Sequence, residues 1–200
     1  SKFKAIIQIN SIKTYFFISN DFKNNILNTL AALAVMSIYF DISKLDKNIF
    51  INFKTPVGRG DISKLRINKK KINFIDESYN SNPLSLESAI LNYDKIDSKN
   101  SKKYLLLGDM LELGKHSKIL HQSIGAIINQ TKIDKVFVKG REVITTFNSI
   151  KTSKKGKIFK QNSEIIDLIK NELNNNDYLM IKASNATGFN KFANNLKELK

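Results

Sequence analysis

The 200-residue sequence contains no cysteine, only two prolines and eight glycines, and three arginines against thirty lysines. The missing cysteine excludes a disulfide scaffold, a thiolate zinc site and a thiol nucleophile. It suits a reducing compartment, so a cytoplasmic setting is expected. No apolar run approaches the ~20 residues that span a bilayer, and the opening Ser1-Lys2-Phe3-Lys4 lacks the charged-then-apolar pattern of a signal peptide. The chain does not begin with Met and is expected to be a piece of a longer one. Signature loops are missing too: there is no Gly-x-x-x-x-Gly-Lys-Ser/Thr, no Gly-x-Gly-x-x-Gly, no nucleophile elbow and no His-Glu-x-x-His. A complete catalytic apparatus is therefore not expected within these residues.

What is present begins with charge. Lys and Arg number 33 against 18 Asp and Glu, a net charge of +15. Clustered cations neutralise nucleic-acid phosphates, but here 28 Ile and 24 Asn accompany the 30 Lys, while Val numbers 5. That skew follows A/T-rich codons. The lysines are also dispersed and arginine, the bidentate reader of phosphate and bases, is scarce. The charge alone therefore predicts no nucleic-acid partner. With 42% apolar and 26% charged residues, the chain should fold around a real core.

Residues 3–9 and 14–18 read as a β-hairpin. Leu27, Leu30, Ala31, Ala34 and Ile38 fall at helical spacing, and this helix is expected to bury most of its surface. Pro56, Gly58 and Gly60 mark a hinge and a domain boundary. Beyond it, β-type runs at 71–76, 103–108, 135–139, 157–160 and 177–183 alternate with helical patterns. Leu86, Ala89, Ile90 and Tyr93 define one helix face; Leu120, Ile124, Ile127 and Ile128 a second; Ile166, Ile169 and Leu173 a third; and Phe189, Phe192, Ala193 and Leu196 a fourth. A short helix is expected at 141–147. Such alternation predicts an α/β fold with a mostly parallel sheet and ligands at the carboxyl ends of its strands.

Three polar clusters follow expected strands. Asp76-Glu77-Ser78-Tyr79-Asn80-Ser81-Asn82-Pro83 places Asn82 as N-cap and Pro83 at the first helical position. A plain strand-to-helix turn explains those two residues. It does not explain the acids, tyrosine and further amide, which can hold ribose hydroxyls, a metal or a phosphate-linked water. Leu107-Gly108-Asp109-Met110-Leu111-Glu112-Leu113-Gly114 lands a second carboxylate at the sheet edge, with Met110, Leu111 and Leu113 read as packing. His116 and His121 lack a third ligand at recognisable spacing, so a surface or capping role is expected for them. Lys182-Ala183-Ser184-Asn185-Ala186-Thr187-Gly188 is compatible with an anion-binding loop and equally with a capped helix start.

Taken in order, these blocks resemble the Mur ligases. Residues Asn24 to Ala34 are similar to the family's His-Asn-x-x-Asn-x-x-Ala-Ala-x-Ala helix, and Gly58-Arg59 to its hinge. Asp76 to Pro83 resembles the Asp-Asp/Glu-Ser/Thr-Tyr-Asn-Ala-Asn-Pro signature. Leu107 to Gly114 with His121, and Lys182-Ala183-Ser184, resemble the remaining blocks. Asn24 stands where the family has His, and Ala183 where it has Gly. The Tyr-Asn-x-Asn-Pro and Leu-Gly-Asp-Met-Leu-Glu-Leu-Gly blocks resemble the member type that joins D-alanyl-D-alanine to UDP-N-acetylmuramoyl-tripeptide. They argue against a folylpolyglutamate-type amide ligase; a basic nucleic-acid-binding α/β module is the alternative from another class.

The resemblance implies that residues 58–200 form a Rossmann-like C-terminal domain. Residues 1–57 would be the β-hairpin and helix that end the central ATP-binding domain. It also implies ATP and Mg²⁺ as cofactors held mainly by an upstream part. ATP contacts are expected from Asn28 near the adenine, Arg59 on phosphate or ribose, Asp76 or Glu77 on the ribose, and Tyr79 and Asn80 along the nucleotide edge. Substrate contacts are expected from Asp109, with Lys182 and Ser184 near the dipeptide carboxylate, and no resident metal site. The partners would be the three small-molecule substrates of a monomeric protein, without nucleic acid or membrane insertion. Lacking the phosphate loop, the chain alone is expected to hydrolyse no ATP.

Overall fold

A computed structural model describes residues 3–18, 23–52 and 57–198, with the backbone only at 23–25 and 61. The chain divides into two compact units, 1–54 and 55–200. Residues 54–56 of the expected hinge, and the side chain of Asn24, lie outside the described residues.

In the first unit, β1 (Phe3–Ile9) and β2 (Ile12–Ile18) pair antiparallel. The turn is tighter than expected because Asn10 takes φ 51, a left-handed conformation that asparagine tolerates. Helix α1 (Lys23–Met36) packs over the hairpin around Ile7, Phe16, Leu33 and Ile42. The expectation that this helix buries most of its surface is corrected: Leu33 is fully buried, but Leu27, Leu30 and Val35 are 50%, 37% and 60% exposed. A two-stranded sheet offers too little facing surface to cover more than one stripe of a helix. Ile38 lies beyond the helix end and is exposed as well.

The second unit is built on a six-stranded sheet of order β3-β4-β8-β5-β6-β7. Its strands are β3 (Asp61–Ile67), β4 (Lys70–Glu77), β5 (Lys103–Leu107), β6 (Lys135–Val138), β7 (Lys155–Ile158) and β8 (Tyr178–Lys182). All neighbours from β4 to β7 run parallel. Strand β3 is an addition to the expected set: it pairs antiparallel with β4 through a two-residue turn in which Asn68 and Lys69 take φ 48 and 65. That is the primed turn whose twist suits a hairpin. Strand β7 starts two residues earlier than expected.

Alternate strand residues feed opposite cores, as period-two geometry requires. Tyr104 and Leu106 join one apolar cluster with Phe74, Leu179 and Ile181, covered by α5 (Asn162–Asn171) and α6 (Phe189–Glu198). Leu105 and Leu107 join the other with Ile75, Val136, Val138 and Met180. That face is covered by α2 (Pro83–Lys95), α3 (Ser117–Asn129) and α4 (Ile144–Ser149). Helix α4 begins after the expected Arg141 because the Arg141 and Val143 amides are held by the Asp109 carboxylate. Of the expected set, Ile169 on α5 and Leu173 just beyond its end are buried, but Ile166 is only partly so, and Ile165 and Leu168 complete the buried face.

The chain places β8 between β4 and β5, yet α2 and α3 follow their strands onto one face while α6 follows β8 onto the other. Connections that diverge to opposite faces leave a crevice at the carboxyl ends of the strands. Because the core on both sides depends on β5, Leu106→Ala, at a fully buried position, should cost about 2–5 kcal/mol in urea denaturation. Ile62→Ala, at a position 56% exposed, should leave the midpoint nearly unmoved.

Candidate functional site

The three polar clusters meet at that crevice. The segments following β4, β5 and β8 enclose a cavity of about 600 Å³ lined by Tyr79–Asn82, Leu111–Leu113 and Ser184–Ala186. Asn82 caps α2 as its spacing predicts: its side-chain oxygen accepts from the Ser85 amide at 2.8 Å, and the Asn82 amide donates to Ser85 Oγ at 3.0 Å.

Asp76 ends the buried part of β4. One carboxylate oxygen accepts from the Ser78 amide at 3.0 Å and from its hydroxyl at 2.6 Å; the other meets Lys197 Nζ of α6 at 2.7 Å. With 1% of its side chain exposed, Asp76 is a buried carboxylate whose two oxygens both have partners, as burial demands. Ahead of β3, the Gly58-Arg59-Gly60 segment extends the hairpin: the Gly60 amide donates to Asp76 O at 2.8 Å and the Tyr79 amide to Gly58 O at 3.0 Å. Both glycines take positive φ. A side chain at Gly58 would also meet the Tyr79 backbone at 3.0 Å, and one at Gly60 would meet Glu77 Oε1 at 2.9 Å. Only glycine allows so close an approach at that φ. The result fixes Arg59, whose exposed guanidinium lies 4.3 Å above the Tyr79 ring centre.

Strand β8 grips this loop from the other side. Lys182 and Ser184 are two residues apart and so share a side of the extended chain. Lys182 Nζ donates to Asn80 O at 2.9 Å and pairs with Glu77 Oε2 at 3.4 Å, while Ser184 Oγ donates to the next carbonyl, Ser81 O, at 3.0 Å. Burial pushes the Lys182 ammonium below the ordinary lysine value of 10.5; the Glu77 carboxylate opposes the shift and the Arg59 charge adds to it. The same Ser184 hydroxyl accepts from the Leu111 amide at 2.9 Å. One oxygen atom therefore joins all three loops.

The β5 loop has a second anchor. His121 is 1% exposed; its Nε2 accepts from the Met110 amide at 3.1 Å and its Nδ1 faces Ser117 O at 2.9 Å. A carbonyl only accepts, so Nδ1 carries the proton and the ring is the neutral Nδ1–H tautomer. The expected surface or capping role is thus corrected for His121, while His116 is exposed. Asp109 turns away from the cavity: both oxygens accept backbone amides, Val143 at 2.8 Å and Arg141 at 3.1 Å.

Of the residues singled out from the sequence, Arg59, Asp76, Glu77, Tyr79, Asn80, Lys182 and Ser184 are brought together, and Tyr79, Asn80 and Ser184 line the cavity itself. Asn28 lies exposed on α1 in the first unit. Sequence reasoning missed Lys197, which lies 121 residues from Asp76 with no local signal. It also treated Leu111 and Leu113 as packing only. Among the described residues, no group of three or more His, Asp or Glu comes together to hold a metal ion.

Two outcomes follow from this geometry. Asp76→Ala should destabilise the chain by about 3 kcal/mol, because it removes the buried carboxylate to which Lys197 and the Ser78 amide and hydroxyl are bonded; Asp76→Asn should recover part. For Lys182, the folded state binds its proton less tightly than the unfolded state. Stability contributed at this position therefore rises with pH from the lowered value up to 10.5. The difference in unfolding free energy between the wild-type chain and Lys182→Met should shift in favour of wild type across that alkaline window, as read by denaturation at successive pH values.

Comparison with known proteins agrees with this architecture. The family model described as Mur ligase, glutamate ligase domain, matches residues 63–185. The UDP-N-acetylmuramoyl-tripeptide--D-alanyl-D-alanine ligase of Bacillus subtilis is 28% identical over 195 residues, 95% of this chain and 41% of that protein. The protein of the same name from Buchnera aphidicola subsp. Baizongia pistaciae is 32% identical over 166 residues, 80% of this chain and 34% of that protein. Among solved structures, the Thermotoga maritima MurF ligase in complex with ADP superposes with a TM-score of 0.77 at 22% identity, covering 98% of this chain and 43% of that one. A MurF structure from Acinetobacter baumannii gives 0.78 at 20% identity, covering 99% and 42%. The chain thus spans about two fifths or less of the curated relatives' length, and it belongs to the Mur ligase family.

Proposed function

We propose that this chain is the closing part of an ATP-dependent ligase that joins D-alanyl-D-alanine to UDP-N-acetylmuramoyl-tripeptide in the cytoplasm, acting as a monomer. Residues 1–57 belong, on this reading, to the central ATP-binding domain, and 58–200 form the C-terminal domain. The observation that carries it is the convergence of the Tyr79–Asn82, Leu111–Leu113 and Ser184–Ala186 segments on one cavity, beside an exposed guanidinium that Tyr79 holds in place. Relatives with this name are 26–32% identical to the chain over 166–195 residues.

The chemistry sets the requirements. A carboxylate does not react with an amine until one oxygen becomes a good leaving group, which phosphorylation by ATP supplies. The amine of the dipeptide then attacks the acyl carbon and phosphate departs. Water must be kept out while the acyl phosphate exists, and a domain that closes over the reacting groups does this.

In this reading Arg59 takes a phosphate oxygen of ATP, its fork oriented by the stack on Tyr79. Of the two acids, Glu77 keeps 25% of its side chain exposed against 1% for Asp76, so Glu77 is the one able to reach a ribose hydroxyl. Tyr79 and Asn80 form the nucleotide edge, and Asn28 lies near the adenine. Lys182 and Ser184 act mainly by holding the wall, and Asp109 by holding the start of α4. The described residues offer no ligand set for the magnesium implied for the reaction.

The test is Arg59→Ala in the full-length protein. Losing a charge-assisted contact from a desolvated site costs on the order of 2–5 kcal/mol, and each ~1.4 kcal/mol is tenfold in rate. Ligation should therefore slow by roughly thirtyfold or more, with Arg59→Lys recovering only part because it keeps the charge and loses the fork. Near-wild-type kinetics for both variants would remove Arg59 from the site.

A further inference from the structure

His121 is a buried titratable group that the proposed reaction does not use, and it closes a circuit of hydrogen bonds. Its Nε2 accepts from the Met110 amide at 3.1 Å, and its Nδ1–H donates to Ser117 O at 2.9 Å. Ser117 Oγ in turn donates to Glu142 Oε2 at 3.0 Å. The amides on either side of Glu142, those of Arg141 and Val143, donate to the carboxylate of Asp109, the residue before Met110. The circuit therefore ties the second loop to the first turn of α3 and the start of α4. From α4, Thr146 Oγ1 also donates to His121 O at 2.7 Å, which holds the backbone of the histidine itself.

This circuit closes only around a neutral imidazole. A proton on Nε2 turns the acceptor into a donor, and two N–H groups cannot bond across 3.1 Å. The ring is 1% exposed and has no bulk water to turn to, so a protonated ring and a seated Met110 amide exclude each other. The charged groups of the circuit, Asp109 from the β5 loop and Glu142 ahead of α4, are both acids. Arg141, 4.0 Å from Glu142, has a 95% exposed side chain, and Lys115, His116 and Lys118 are exposed as well. Helix α2 also packs against α3. Its ionisable Glu87, Tyr93, Asp94 and Lys95 make no hydrogen bond to the ring, which among the described residues bonds only to Met110 and Ser117. Leu111 and Leu113, just beyond Met110, line the cavity. We propose that His121 is a positioning residue that acts as an acid-sensitive latch: the neutral ring holds the Leu111–Leu113 wall through the Met110 amide, and a proton on Nε2 releases it.

Amide exchange on the 200-residue chain tests this without substrate or turnover, so the result stands apart from the success or failure of the proposed ligation. If the open loop binds one proton that the closed loop excludes, opening becomes up to about tenfold easier per pH unit below the ordinary imidazole value of about 6.5. Between about pH 7.5 and about pH 5.5, protection of the Met110 amide, taken relative to the unfolded chain at each pH, should fall by about tenfold. Leu105 and Met180, in the parallel sheet, should keep theirs. His121→Gln offers a carbonyl to the same amide and does not titrate, so its Met110 protection should stay constant across that range, whereas His116→Gln, at the exposed histidine, should retain the fall. Ring nitrogen shifts in the NMR spectrum should show the Nδ1–H tautomer of His121 at the upper pH. Met110 protection that ignores pH in the wild-type chain overturns the proposal, as does an equal fall in His121→Gln, loss of the fall in His116→Gln, or an Nε2–H ring. The wild-type and His116→Gln readings decide the matter if His121→Gln does not fold.

Discussion

Lys182 places an ammonium group with 2% of its side chain exposed at the end of the central strand of the sheet, against a carboxylate and a backbone carbonyl. A charge buried to this degree is tolerable only if its partners stay in place. Those partners are Glu77, the last residue of the neighbouring strand β4, and Asn80 in the loop after it, and they are drawn to β8 by the register that sets Glu77 opposite Lys182. Two residues on, Ser184 holds the adjacent carbonyl and reaches the third loop through Leu111. The cavity walls are thus coupled: moving one loop leaves a buried charge or hydroxyl on another unsatisfied.

This arrangement grows out of topology. With β8 between β4 and β5, three strand ends that are distant in sequence become neighbours, and helices leaving to opposite faces keep the space above them open. The flanking ties serve the same end. Lys197 on α6 anchors the base of the first loop through Asp76, and His121 on α3 anchors the second through the Met110 amide. Helices that cover the core also hold the site, so packing and site geometry are not separable in this fold.

Much of this was legible in the sequence, for identifiable reasons. The continuous apolar run of Tyr104 to Leu107 and the spacing of Leu86, Ala89, Ile90 and Tyr93 are local patterns, and the structure shows them as β5 and α2. The polar clusters were found because they interrupt such patterns at strand ends. Strand β3 escaped because its turn, Asn68-Lys69, lacks the glycine that usually marks a two-residue hairpin. The exposure of α1 could not be read from its apolar stripe, since periodicity tells which face seeks cover and says nothing of how much surface is there to provide it. Lys197, the inward turn of His121 and the shared role of Ser184 depend on contacts spanning from 4 to 121 residues and have no short-range signature.

Amide hydrogen exchange on Lys182→Met tests most directly whether the buried lysine organises the site. The amides of Ser78, Tyr79 and Ser81 are each bonded within or onto the β4 loop, whereas Leu105 and Met180 sit deep in the parallel sheet. Loss of the ammonium should speed exchange at the three loop amides and leave the two sheet amides protected, because local openings involve fewer bonds than global unfolding. Unchanged exchange throughout the loop would contradict the account, showing that the loop keeps its place without Lys182.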